Sequence, residues 1–104
     1  MKLKTKTAHD YVNDEKNIFA TSPLYSDVRI VKDKPVMLVK NTTQGWELHY
    51  TSSSFGRAQV YNIESFMIKD GRMYMFHFFC EPLKVPPFLP IVQKMIDSFQ
   101  AAPQ

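Results

Sequence analysis

The sequence predicts a single α+β domain, in which an antiparallel β-sheet of about five strands is flanked by an N-terminal and a C-terminal helix. Three observations predict this class. Apolar residues recur at helical spacing near both ends, they alternate with period two between them, and Asp70-Gly71 separates two apolar runs as a tight hairpin turn does. At 104 residues the chain has the length of one domain. We expect a basic tail over residues 1–6, the domain over 7–100 and a frayed end over 101–104.

The first helix is predicted to begin at Thr7. A threonine with Asp10 three residues later is a short capping box, in which the hydroxyl satisfies a free backbone N–H. Ser22-Pro23 ends the helix, because the residue before a proline avoids helical dihedral angles. The apolar stripe contains Ala8, Val12 and Phe19, and the pattern places Asp14 and Glu15 on the exposed side.

The strands are predicted from Tyr25 onward, where the apolar period becomes two. Asp33-Lys34-Pro35 is interpreted as a turn, and the polar stretch 41–45 as the loop of a following hairpin. The next strand alternates between an apolar and a polar set. We expect the apolar set to be buried and the polar set to face water. The apolar set is Trp46, Leu48 and Tyr50, and the polar set is Glu47, His49 and Thr51.

The last strand and the last helix are predicted to form the densest part of the core. Residues 73–80 are apolar at nearly every position, which favours a central strand covered on both faces. Prolines then mark the start of a helix, and its apolar stripe is expected to pack on the sheet. The pattern leaves open whether the two helices share a face of the sheet. The prolines are Pro86, Pro87 and Pro90, and the stripe is Leu89, Val92, Met95, Ile96 and Phe99.

Composition and charge argue against several classes of protein. The chain is 44% hydrophobic and 22% charged, as folded globular proteins are. The net charge of +3 equals the contribution of Lys2, Lys4 and Lys6, and the other basic residues are scattered, so we expect no nucleic-acid partner. A single cysteine, Cys80, cannot form an internal disulfide. We predict a soluble chain with no transmembrane segment and no visible signal peptide, and its compartment stays open.

The last third of the chain resembles the PsbP-like domains. Residues 69–74 (KDGRMY) precede an apolar strand, a Glu-Pro connection and residues 94–99 (KMIDSF). In that family a strand with a Gly-x-x-Tyr step is followed by a final helix that ends in Ser-Phe. Residues 45–51 resemble the family's Gly-x-x-x-x-x-Tyr strand, and the helix at Thr7 has a counterpart, so the resemblance covers Thr7 to Phe99.

The resemblance implies a non-enzymatic binding or accessory module. Relatives include photosystem accessory subunits, Ran-binding nuclear import proteins and chaperone-like bacterial proteins, which share binding rather than chemistry. Family members usually open with a strand pair before the first helix, whereas six residues precede Thr7 here. The resemblance therefore implies a shortened N-terminus and an uncovered sheet edge, where another protein or a second copy adds a strand.

The sequence predicts no catalytic, metal or cofactor site. Cys80 ends an apolar strand as a small hydrophobic residue does, no nucleophile elbow surrounds residues 52–54, and three glycines are too few for a phosphate loop. Candidate metal ligands are His49, His77, Cys80 and Glu81. His77 and Cys80 have opposite parity on one strand, so only a two-histidine surface site is left as an alternative.

The predicted partner-binding residues are Trp46, His49, Phe55 and Arg57. Trp46 fits either a core anchor or a binding hot spot, and its parity with Leu48 favours the core. Phe55 lies in a serine-rich turn that cannot easily bury it. Our first hypothesis is docking through the open sheet edge and the Phe55 turn.

The alternative hypothesis is a small-molecule site between the sheet and a helix. It would be lined by His49, Tyr50 and His77.

Overall fold

The chain forms one four-stranded antiparallel sheet and two helices in the part described by the computed structural model, residues 6–22, 26–53 and 58–99. The predicted α+β class and the helix at each end are confirmed. In chain order the elements are α1 (Ala8–Thr21), β1 (Ser26–Leu38), β2 (Thr43–Ser53), β3 (Val60–Lys69), β4 (Arg72–Cys80), a 3₁₀ turn (Pro82–Lys84) and α2 (Val85–Asp97).

Helix α1 begins as the sequence predicts. The Thr7 hydroxyl accepts a hydrogen bond from the Asp10 N–H at 3.2 Å, and the Asp10 carboxylate accepts one from the Thr7 N–H at 2.8 Å. This capping box satisfies donors that the first helical turn leaves free. From there Ala8, Val12, Glu15 and Phe19 follow one another at three- and four-residue spacing, so Glu15 shares the side that faces the sheet.

The sheet has four strands rather than about five in the described residues, because Pro35 does not end a strand. Strand β1 continues through Asp33, Lys34 and Pro35, which pair with Leu48, Glu47 and Trp46 of β2. A proline is tolerated there because β1 is an edge strand, whose outer side needs no ladder N–H.

The hairpin turn at Asp70-Gly71 is confirmed, and the β1–β2 hairpin is present with its loop at residues 39–42 rather than at the predicted 41–45. Asp70 and Gly71 connect β3 to β4 with positive φ angles of 52° and 77°, as a two-residue type I′ turn requires. Residues 39–42 connect β1 to β2, where Val39, Lys40 and Asn41 all have positive φ and the Thr42 N–H donates to the Leu38 carbonyl at 3.0 Å.

The two helices pack on opposite faces of the sheet, which settles the question that the sequence leaves open. Each face therefore has its own apolar cluster. Buried members on the α1 face are Val12, Leu48, Tyr50 and Phe66. Buried members on the α2 face are Leu38, Ile63, Met67, Val92 and Ile96.

Strand β2 is consequently covered on both sides, and the expectation that its polar set faces water is wrong for His49, which is 1% exposed. The predicted stripe of α2 is confirmed at Val92 and Ile96, which are buried, whereas Met95 is exposed.

Strand β4 lies at the edge of the sheet, and the prediction of a central strand covered on both faces is wrong. It pairs with β3 alone among the described strands. Tyr74, Phe76 and Phe78 face α2 and are half-buried against Phe88 and Phe99. The residues between them, Met73, Met75, His77 and Phe79, point to the α1 face of the sheet. Helix α1 does not cover β4 on that face.

Candidate functional site

The exposed side of β4 carries large apolar side chains. We call Met73, Met75, His77 and Phe79, which alternate along the strand on the α1 face, the β4 surface. Met73 is 38% exposed, Met75 43% and Phe79 67%. Solvent-exposed large apolar side chains along an edge strand are typical of a surface that another chain covers.

Next to this surface, a group of polar side chains lies between α1 and the sheet. We call Glu15, Tyr50, Asn62, Glu64 and His77 the Glu64 cluster. Glu64 is 1% exposed, and its carboxylate accepts a hydrogen bond from the Tyr50 hydroxyl. The His77 Nε2 is 3.8 Å from the same carboxylate and 3.0 Å from the Asn62 Oδ1, which accepts its hydrogen bond.

Glu15 completes the cluster from the helix. Burial, a hydrogen bond to Glu64 and the charge of Glu64 raise the pKa of Glu15 to about 8. The second oxygen of Glu64 is buried without any conventional donor among the described residues. A raised pKa keeps a proton on Glu15 at neutral pH, so its carboxyl can act as a donor toward Glu64.

A second polar group lies on the α2 face of the sheet. His49 Nδ1 is 2.8 Å from the Tyr61 hydroxyl, and His49 Nε2 is 2.5 Å from the Glu47 Oε1. The Nε2 contact is short but poorly aligned, so Nε2 lacks a well-formed hydrogen bond. The short contact with His49 lowers the pKa of Glu47 most, and the charges of Lys32 and Lys34 lower it further, despite the burial of Glu47.

The pKa shifts next to this carboxylate–imidazole–phenol chain disfavour a nucleophile. Burial and the neighbouring Glu47 and Cys80 raise the pKa of Tyr61, whereas a phenol that attacks a substrate needs a lowered one. Burial and the charge of Glu81 likewise raise the pKa of the Cys80 thiol, which disfavours the reactive thiolate.

A cleft of about 210 Å³ opens between this group and α2. We call it the His49 cleft. Its polar end is formed by Lys32, Glu47, His49 and Ser65, and its apolar wall includes Ile63, Leu89, Val92 and Ile96. The cleft lies between the sheet and a helix, as the small-molecule hypothesis requires, but Tyr50 and His77 face the opposite side and do not line it.

The remaining predicted partner-binding residues are Trp46, Phe55 and Arg57. Trp46 is half-buried at the edge of the α1 cluster, where its Nε1 donates to Asp33 at 2.6 Å and its ring stacks on His9 at 3.9 Å. This supports the core interpretation of Trp46. A groove of about 410 Å³ lies beside the stacked pair, near Lys6 and Gln44. Phe55 and Arg57 lie outside the described residues, so their role in binding stays a prediction.

The alternative of a two-histidine metal site is wrong, because His49 and His77 face opposite sides of the sheet. No cluster of three or more potential metal ligands occurs within the described ranges. None of the helices there is long and apolar enough to cross a membrane.

Two residues of these sites, Glu64 and Glu15, were not predicted from the sequence as site residues. Glu64 lies within the apolar run 63–68, and a charge at such a position signals a buried polar contact. Glu15 occupies the buried side of α1, contrary to its predicted exposed placement, and its three-residue spacing from Val12 was the available signal.

Comparisons of the chain with protein-family models, curated proteins and solved structures return no significant match. The resemblance to PsbP-like domains therefore stays a prediction that depends on the sequence patterns alone.

Proposed function

We propose that this chain is a non-enzymatic protein-binding module whose docking site is the β4 surface together with the free edge of β4. The observation that carries the proposal is the exposure of Met73, Met75 and Phe79 on a strand paired on one side. Methionine suits such a surface, because its flexible, polarisable side chain adapts to a partner.

The two edges of the sheet differ in how they resist pairing. Strand β1 carries Pro35, the charged residues 32–34 and two register irregularities, which are devices that keep an edge from accepting another strand. Strand β4 runs in unbroken register with β3 and carries neither proline nor a carboxylate or lysine between Met73 and Cys80. This contrast favours β4 as the edge that accepts a partner.

The partner that we propose is a second copy of this chain, with β4 paired antiparallel to β4. A two-fold axis at Phe76 would place Met73 opposite Phe79 of the second copy and Met75 opposite its His77, all on the exposed face. The strand is thus complementary to itself in its apolar pattern.

Sedimentation velocity tests the proposal, with samples from about 1 μM to about 1 mM, the range of transient interfaces. We expect the wild-type mass to rise from one chain to two, and Met75→Lys to keep the mass of one chain, because a lysine there opposes apolar pairing. Met95→Lys, the same substitution on the exposed side of α2, is the matched control and should dimerise as the wild type does.

A wild type that stays monomeric over this range would contradict the second-copy partner. Dimerisation of Met75→Lys at wild-type strength would contradict the β4 surface as the interface.

The proposal agrees in kind with the PsbP-like resemblance of residues 69–74 and 94–99. Relatives in that family act by binding, and an open sheet edge would suit such an activity. Fold-level likeness supports only the class of function, so the partner is inferred from the β4 surface.

A further inference from the structure

His77 is the titratable side chain of the β4 surface. It is 39% exposed, and its ring is 6.0 Å from the ring of Phe79. The other members of that surface, Met73, Met75 and Phe79, carry no ionisable group. A change of pH therefore alters the charge of the β4 surface at His77.

The hydrogen bonds of Asn62 determine which ring nitrogen of His77 carries hydrogen when the ring is neutral. The Asn62 amide nitrogen donates to the Ser52 hydroxyl at 3.0 Å and to the Tyr50 carbonyl at 3.4 Å, so its Oδ1 is directed at His77. An amide oxygen only accepts, so His77 Nε2, 3.0 Å away, carries the hydrogen. Nδ1 makes no hydrogen bond to a described residue, and it gains a hydrogen when the ring becomes charged.

Two carboxyl groups of the same chain face His77. Glu64 of β3 is 3.8 Å from Nε2 and accepts a hydrogen bond from the Tyr50 hydroxyl of β2, and Glu15 of α1 contributes a charge when it is ionised. Glu15, whose pKa is about 8, keeps its proton between pH 5 and pH 7. Because both groups face the ring before and after two chains associate, the pH dependence of association depends on what the second copy adds.

The proposed β4–β4 pairing would cover His77. With the two-fold axis at Phe76, His77 lies opposite Met75 of the second copy, and His77 of that copy is its diagonal neighbour on the same face. Residues so related are about 7–8 Å apart in an antiparallel pair. Protonation would then set a new Nδ1–H against a methionine, whose sulfur is a weak acceptor, and place two like charges near the axis. Both effects disfavour the charged ring in the dimer and are absent from the single chain.

We propose that protonation of His77 weakens the β4-paired dimer, so that association depends on pH. This inference rests on the proposed self-association through β4. A group whose charged form is disfavoured in the dimer makes association weaken as the pH falls through its pKa. Burial already lowers the pKa of His77 below its ordinary 6.5 in the single chain, and the second copy would lower it further.

Sedimentation velocity of the wild type at pH 7 and at pH 5 tests this inference. We expect the dissociation constant to be about tenfold higher at pH 5, which corresponds to a pKa lowered by about half a unit in each of two chains. His77→Gln stays uncharged, and its amide can donate to Asn62, so its dissociation constant should be equal at both pH values. His9→Gln is the matched control. His9 stacks on Trp46 at the start of α1, so this variant should keep the wild-type pH dependence.

NMR titration of the His77 ring in the wild type gives a second measurement that needs no substitution. The pKa of the ring should be lower at about ten times the dissociation constant measured at pH 7 than at about one tenth of it. An equal dissociation constant at pH 5 and pH 7, a pH dependence that His77→Gln retains, or an equal ring pKa at the two concentrations would each overturn the inference. A wild type that stays monomeric at pH 7 would instead contradict the proposed dimer itself.

Discussion

Glu15 makes the stability of the fold depend on pH. Its pKa rises from the ordinary 4.5 to about 8 on folding, so between those values the folded chain binds more protons than the unfolded chain. The free energy of unfolding should therefore fall as the pH rises from about 4.5 to about 8. Because the carboxyl is only half-buried, solvent screening reduces the effect to roughly 1–2 kcal/mol.

Glu15→Gln should remove that dependence, since its amide donates to Glu64 at every pH. We expect the variant to exceed the wild type by about 1–2 kcal/mol at pH 8.5 and to match it at pH 5. Urea unfolding at both values measures this. The neighbouring exposed acid offers the control, Asp14→Asn, whose pH profile should follow the wild type. If the free energy of unfolding of Glu15→Gln still fell toward pH 8.5, a group other than Glu15 would cause the pH dependence.

Two other groups, His77 and Glu47, lower the stability of the fold as the pH falls. Burial lowers the pKa of His77, although the charge of Glu15 opposes it, so its contribution to stability is lost as the pH falls below 6.5. The lowered pKa of Glu47 gives a contribution that is lost below 4.5. The loss of the Glu15 contribution from about pH 4.5 upward opposes the His77 gain, so stability should fall above pH 6.5, where Glu15 acts without His77, and below pH 4.5, where the Glu47 contribution is lost.

At the scale of elements, α2 is joined to the β1–β2 turn by one side chain. The Asp97 Oδ1 accepts from the Lys40 backbone N–H at 2.8 Å and from the Gln93 side chain at 3.0 Å. The turn needs this acceptor, because three consecutive residues with positive φ angles prevent its backbone from continuing the strand.

Asp97→Ala should lower the free energy of unfolding by about 1 kcal/mol, less than the roughly 1.5–3 kcal/mol of a buried hydrogen bond to a charged group, because the site is partly exposed. Chemical denaturation measures the change. Lys94→Ala, at an exposed position of the same helix, should change stability by less than about 0.5 kcal/mol. Equal effects of the two substitutions would mean that Asp97 contributes only as a helical residue.

The elements also show where sequence patterns were sufficient. Thr7 with Asp10 and Asp70 with Gly71 were interpreted correctly, because capping and type I′ turns depend on nearby residues alone. The prediction of a turn at Pro35 was wrong. A proline ends a central strand but is tolerated in an edge strand, and the sequence pattern does not say which strand lies at the edge, because strand order is a tertiary property. The apolar residues of β4 were read as buried on both sides for the same reason: the pattern does not say which face a helix leaves uncovered.

At the scale of the whole molecule, the two helices pack on opposite faces of the sheet, and each face has its own apolar cluster. The β4 surface and the Glu64 cluster lie on the α1 face, whereas the His49 cleft lies on the α2 face. None of the three could be assigned to a face from the sequence, which does not tell the faces apart. The β4 surface and the His49 cleft have no side chain in common.

The chain order of the strands also sets how the molecule folds. Each strand pairs with the one that follows it, so the sheet can assemble by successive hairpins with short loops to close. The Lys40–Asp97 contact spans 57 residues and should form after the transition state. Stopped-flow kinetics should then show Asp97→Ala accelerating unfolding, and Gly71→Ala, strained at φ 77°, slowing folding instead. If Gly71→Ala accelerated unfolding and left the folding rate unchanged, the Asp70-Gly71 hairpin would not be part of the folding nucleus.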